Sequence, residues 1–162
     1  MSVYNNLFLR KTPNGSQLDK NILSTAGPIL PVEVTIPTPL ADILTKQNKP
    51  IPQPKSGWAL IDTGATRTCV DADAITQLGV NPIGRAKIHG SAGKHEVNIF
   101  PAHFRFPTFQ GGFEIDFTAT LGVDIKAQQF NKQPIIVLIG RDVLSRCIFI
   151  YNGTLGVYTL SF

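Results

Sequence analysis

Fourteen glycines and twelve prolines are spread along 162 residues, and this punctuation limits the fold more than any other feature. Proline has no amide donor and clashes with the preceding helical turn, while an interior glycine costs a helix about 1 kcal/mol. A bundle of long helices is excluded. Ten phenylalanines and many Val, Ile and Thr favour the pleated strand instead. With 43% hydrophobic and 16% charged residues, the chain can bury a core and is not a disordered tail. Its length suits one domain with room for a short arm.

Hydrophobic patterning places the elements. Residues 1–28 are polar and weakly patterned, with a turn signal at Pro13-Asn14-Gly15, and read as an N-terminal arm ahead of a domain over 29–162. Val32, Val34 and Ile36 alternate with polar residues, as in a half-buried strand. Pro37, Pro39, Pro50, Pro52 and Pro54 forbid a central strand over 37–56, which leaves one helical turn or a surface loop. Trp58 to Ile61 and Thr68 to Val70 read as short strands. A short helix follows, capped by Asp71 or Asp73, with Ile75 and Leu78 on one face and Gly79 at its C-terminal end. Arg85 to Phe106 reads as a long hairpin with His89 to Lys94 at its tip, and Phe113 to Leu121 as another strand. Ile135 to Ile139 is a buried strand, Gly140 to Arg146 one or two helical turns, and the end is a hairpin about Asn152-Gly153. The pattern predicts an all-β domain, closed and β-rich, with one or two short helices.

Charge and reactive side chains remove several functions. The net charge is +4, and the fifteen Lys and Arg are scattered with no basic run beyond the Arg10-Lys11 pair, so a solvated surface is expected and no nucleic-acid partner. Cys69 and Cys147 sit in apolar, strand-like surroundings and read as reduced thiols. His89, His95 and His103 match no tight zinc spacing, so no metal and no cofactor is expected. Leu7-Phe8-Leu9 is too short for a signal-peptide core, and Ile135 to Ile139 is far short of a membrane span. A soluble cytoplasmic chain with no membrane partner is the expectation.

One arrangement carries chemistry. An apolar strand, Ala59-Leu60-Ile61, runs into Asp62-Thr63-Gly64, then Ala65 and a second strand fragment. Later, Ile136-Val137-Leu138-Ile139 ends in Gly140-Arg141-Asp142 before a helical turn. An Asp-Thr-Gly triplet alone is weak, and its context sharpens it. These two motifs, with a glycine-bearing hairpin between them, resemble the retropepsin-like aspartic proteases over about residues 29–162. The resemblance implies a retropepsin-like acid-protease fold acting as a twofold homodimer, with one catalytic Asp from each protomer, here Asp62. It also implies that Thr63, Gly64 and Ala65 support the active-site loop, with the Thr63 hydroxyl locking it across the dimer axis.

The physical requirement stands beside that resemblance. Hydrolysing a peptide bond without metal or covalent nucleophile needs a base to activate water and an acid to protonate the leaving nitrogen. Two carboxylates about 3 Å apart share one proton and supply both. Only one Asp-Thr-Gly occurs in this chain and no Asp-Ser-Gly. A dyad therefore demands a second copy, and the expected function is a homodimeric aspartic endopeptidase acting on peptide or protein substrates.

The hairpin residues Ile88, His89, Gly90, Ser91, Ala92 and Gly93 are read as a flap over substrate, against the alternative of an ordinary hairpin loop. Gly140 either packs where the strand passes behind the active-site loop or simply ends a strand. Arg141 is implied to brace the loop by an ion pair, with Asp71 or Asp73 as partner, or is a solvated charge at a helix start. Thr66 and Arg67 follow Ala65 where retroviral members often place acids. Gly156 to Phe162 is implied to build the dimer interface, or is the last strand of one sheet. The functional alternative is a retropepsin-like dimerisation or peptide-binding module without catalysis.

Overall fold

The computed structural model describes residues 3–90, 93–109, 111–125 and 127–162. In chain order the elements are β1 (Val3–Leu7), β2 (Leu9–Thr12), β3 (Gly15–Leu18), α1 (Lys20–Ala26), β4 (Ile29–Thr35), α2 (Thr38–Lys46), β5 (Lys55–Ile61), β6 (Cys69–Asp71) and α3 (Ala72–Thr76). After these come β7 (Gly84–Gly90), β8 (Gly93–Phe106), β9 (Phe113–Val123), β10 (Gln129–Phe130), β11 (Gln133–Ile139), α4 (Arg141–Leu144), β12 (Ile148–Asn152) and β13 (Val157–Ser161). Strand makes up 52% and helix 16%, and the architecture is a closed β-barrel.

Closure follows from the pairings. The ring runs β11, β5, β4, β8, β9, β6 and back to β11, where Val137 and Leu138 face Val70 and Cys69. A closed ring leaves its members few unpaired edges. Inward positions alternate along the strands: Val32 and Val34 of β4, Ala59 and Ile61 of β5, and Phe100, Phe104 and Phe106 of β8 are all buried. The contact between β11 and β5 is parallel, pairing Ile139 with Ile61, so both strands deliver their ends to the same rim. That rim carries the Asp62 loop and the start of α4.

Three expectations are corrected. Residues 3–26 are not a free arm. β1 pairs along its whole length with β13, Phe8 and Leu23 are buried, and Asn6 donates to the Ile29 carbonyl at 3.0 Å from a buried position. Asp19 caps α1 by accepting from the Asn21 amide, which turns Leu23 into the core. The described residues contain four short helices rather than one or two. α2 spans nine residues inside the proline-rich segment, because Pro39 lies in its first turn, where the missing amide donor costs nothing. Finally, the terminal hairpin does not turn on two residues, since Asn152 pairs with Val157 and a longer loop lies between them. Gly156 in that loop has φ +68°, and a Cβ there would lie 2.4 Å from Lys20 Cα, so contact with α1 shapes the turn.

Other elements match the sequence pattern. Asp71 caps α3 through the Ala74 amide, Ile75 and Leu78 are buried, and Gly79 takes φ +78° beyond the helix. The β7–β8 hairpin pairs continuously from Gly84–Ile99 out to Gly90–Gly93. His89 and Lys94 therefore face each other within the ladder rather than in a loop. Ser91 and Ala92 lie outside the described residues.

Candidate active site

The Asp62 loop is a turn between two strands of the barrel, tied down mainly by backbone. The Asp62 amide donates to the Ile139 carbonyl at 3.0 Å, which fixes the end of β5 against the end of β11. Asp62 Oδ1 then accepts from the amides of Gly64 (2.9 Å) and Ala65 (3.2 Å). Two donors on one oxygen set the carboxylate's orientation, and among the described residues no donor reaches Oδ2. A Cβ on Gly64 would stand 3.1 Å from Oδ1, so the missing side chain lets the turn close on its own carboxylate. Ala65 is partly buried, while Thr63 is exposed and its hydroxyl makes no hydrogen bond among the described residues.

β11 and α4 hold the loop from behind. Gly140 is the close approach: a Cβ there would fall 2.5 Å from the Arg67 carbonyl carbon and 2.7 Å from its oxygen. The Arg141 amide donates to the Ala65 carbonyl at 2.9 Å, and the Asp142 amide to that of Thr66 at 3.3 Å. In place of an acid, the Arg141 guanidinium engages the loop's own oxygens, Thr63 O at 3.2 Å and Thr66 Oγ1 at 2.9 Å. Thr66 thus serves with a hydroxyl the cation that an acid would otherwise meet. Asp71 belongs to α3 and to the Ile125 amide at 3.2 Å.

Asp142 and Thr68 form the clamp that motif reading missed. The Asp142 carboxylate receives the Thr68 amide on both oxygens (3.0 and 2.9 Å) and the Thr68 hydroxyl at 2.7 Å, and Thr68 Oγ1 accepts from the Gly140 amide at 3.1 Å. One carboxylate thereby joins the strand leaving the loop to the helix behind it. An acid immediately after Gly140-Arg141 was the available signal, but its partner lies 74 residues earlier in the chain.

The thiols are poor nucleophiles. Burial, followed by the nearby carboxylates of Asp142 and Asp62, pushes Cys69 up to about 11, and burial alone pushes Cys147 up to about 11. Both are protonated near neutral pH. Cys69 is buried and Cys147 half-buried, and neither is in a disulfide. Among the described residues no group of three or more His, Cys, Asp or Glu is placed to hold a metal ion, and no helix is long and apolar enough to cross a membrane.

The structure brings Asp62, Thr63, Gly64, Ala65, Gly140 and Arg141 into one hydrogen-bonded unit. Ile88, His89, Gly90 and Gly93 lie instead on the β7–β8 hairpin, and among the described residues no hydrogen bond links them to that unit.

A second surface stands out for its exposed apolar side chains. β13 is the centre of a three-stranded sheet, with β1 on one side and β12 on the other. Its own edges are therefore already occupied. The register sets Val3, Ser161 and Ile148 in one row, Asn5, Thr159 and Ile150 in the next, and Leu7, Val157 and Asn152 in the third, all on one face. None of the nine is charged, and Leu7 (60% exposed), Ile148 (56%) and Ile150 (55%) are open to solvent. Comparison with protein-family models gives no match, and comparison with curated proteins gives no significant relative. What the chain can do therefore follows from its own geometry.

Proposed function

We propose that the chain is a homodimeric aspartic endopeptidase in which Asp62 and its counterpart in a second copy form the catalytic dyad. The observation that carries this reading is the carboxylate itself, with Oδ1 held by the Gly64 and Ala65 amides and Oδ2 open among the described residues. Immobilising one oxygen while leaving the other free suits a group that must exchange a proton with water and with a second carboxylate. A structural aspartate would use both oxygens, as Asp142 does.

In this mechanism the dyad holds one proton. The ionised carboxylate takes a proton from water as the oxygen attacks the scissile carbonyl, and the protonated one donates to the carbonyl oxygen, giving a tetrahedral diol. A carboxyl group then protonates the amide nitrogen, the C–N bond breaks, and the second diol proton returns to the dyad. The Gly140, Arg141 and Asp142 contacts keep the loop rigid, so little reorganisation is needed. The exposed Thr63 hydroxyl stands beside Asp62, free to meet the partner's loop. The uncharged outer face of the β1–β13–β12 sheet offers exposed Leu7, Ile148 and Ile150 to the second copy, since exposed apolar side chains grouped in this way mark contact sites.

The test is cleavage of an unbiased peptide mixture from acidic to neutral pH by the wild type and by Asp62→Asn, with solution mass measured on both. Cleavage by the wild type that vanishes in a still-dimeric variant is expected. Cleavage that survives in Asp62→Asn, or wild-type dimers that cut nothing, would overturn the proposal.

A further inference from the structure

The outer edge of β9 borders a groove whose lining does not include Asp62. β9 pairs with β8 from Phe113 to Leu121, but on its other side it meets β6 only at residues 121–123. In an antiparallel pair, alternate residues send their amide and carbonyl groups away from the partner strand. Residues 113–119 therefore present outward backbone groups that no strand takes up among the described residues. Such edges are ready templates for an added strand.

A cavity of about 520 Å³ runs along this edge. Seven consecutive residues, 113–119, line it, and because side chains alternate between faces, the strand's edge is what all seven share. The opposite wall is Val143 and Arg146, on and just after α4, with the C-terminal Phe162, whose ring stacks on Phe113 at 3.8 Å between centroids. The charges of the wall differ in availability. Glu114 is paired with Arg105 and His103, Asp116 with His103, and Asp142 holds Thr68. Arg146 is exposed, and no hydrogen bond or ion pair engages its guanidinium among the described residues. At the groove's inner end the Arg67 guanidinium already donates to the Ala119 carbonyl at 2.8 Å, so this edge does accept donors from outside the sheet.

From this edge, its aromatic wall and its one unengaged cation, we infer that the β9 groove binds an extended peptide segment as an added strand, with an apolar side chain against Phe113 and Phe162 and a carboxylate on Arg146. The backbone ladder supplies affinity without sequence preference, and the aromatic wall and Arg146 supply selectivity. Asp62 is not part of the groove's lining, and the inference does not require that the chain cleave anything.

The test uses the full chain carrying Asp62→Asn, so that no probe is consumed. The probe is a fluorescein-labelled seven-residue peptide of alternating Val and Thr with one central Glu, followed by anisotropy. Two further probes carry Lys in place of Glu, or N-methyl groups on alternate amides. Saturable binding to the Glu peptide is expected, weakened at least tenfold by N-methylation or by Phe162→Ala. Arg146→Glu should reverse the preference from the Glu to the Lys peptide. No saturable binding, or binding that ignores N-methylation and both substitutions, would overturn the inference. A chain that binds in this way yet has no protease activity as wild type would break only the proteolytic reading; one that cleaves but does not bind would break only this inference.

Discussion

The Asp62 loop and the terminal β1–β13–β12 sheet are assembled by opposite means. The loop is held by directional contacts: two amides on one carboxylate oxygen, a carboxylate clamp from Asp142, and a backbone approach that only Gly140 allows. The sheet is held by a ladder between chain ends and by burial of Tyr158 and Leu160 on its inner side, while its uncharged outer side leaves Leu7, Ile148 and Ile150 exposed. Satisfied polar contacts leave one defined oxygen for chemistry. An unsatisfied apolar face instead leaves something for a partner to cover. Under the proposed dyad these are two halves of the same requirement, because a single Asp-Thr-Gly loop supplies only one of its two carboxylates.

The sharpest way to break this contrast is at Gly140. Gly140→Ala places a methyl within 2.5 Å of backbone that cannot swing aside, so a loss of about 3 kcal/mol in unfolding free energy is expected from urea denaturation, with activity falling too. Unchanged stability would mean that the loop is not anchored from behind. Next comes Asp142→Ala, which leaves the Thr68 amide and hydroxyl without an acceptor and should cost about 2 kcal/mol. Asp142→Asn, which keeps one carbonyl oxygen, should cost less. The sheet should respond differently. Ile148→Glu with Ile150→Glu should change the folding free energy of the monomer by no more than about 0.5 kcal/mol, because both side chains are already exposed. The same pair should shift sedimentation from dimer to monomer. A variant that stays dimeric would move the interface elsewhere.

The smallest effect concerns α2, which is fastened to the barrel through Asp116. Burial pushes this carboxyl up, but the Thr38 hydroxyl and amide and His103 outweigh it and hold Asp116 below the usual carboxylate range. A carboxyl lowered in the folded state stabilises above its unfolded value, about pH 4, and that contribution is lost as pH falls through the lowered value. The side chain is half exposed, so solvent screens the effect. Stability measured from pH 5 to pH 2 should fall less steeply in Asp116→Asn than in the wild type.

What could be read in the sequence was what is local. β5, the Asp62 turn, the Asp71 cap of α3 and the apolar run of β11 each depend on neighbours a few residues away, and alternation or capping shows them directly. The misreadings are mostly of long range, with α2 the local exception. β1 looks like an arm because its partner β13 lies more than 150 residues on, and nothing within VYNNL announces that pairing. Leu23 is buried because α1 docks, not because its own stretch is apolar. Asp142 sits in a motif, yet its role depends on Thr68 across the barrel rim. The Asn152-Gly153 pair advertises a two-residue turn, and contact between Gly156 and α1 overrides it.

The central claim is that one Asp62 from each of two copies makes the catalytic unit. Subunit mixing tests it most directly. Wild type and Asp62→Asn are combined in equal amounts at fixed total concentration, allowed to exchange, and assayed on a peptide the wild type cleaves. If two carboxylates are required, only dimers of two wild-type chains work, and activity should fall to about a quarter of the unmixed value. Activity of about a half would show that each chain acts alone and would contradict the shared dyad.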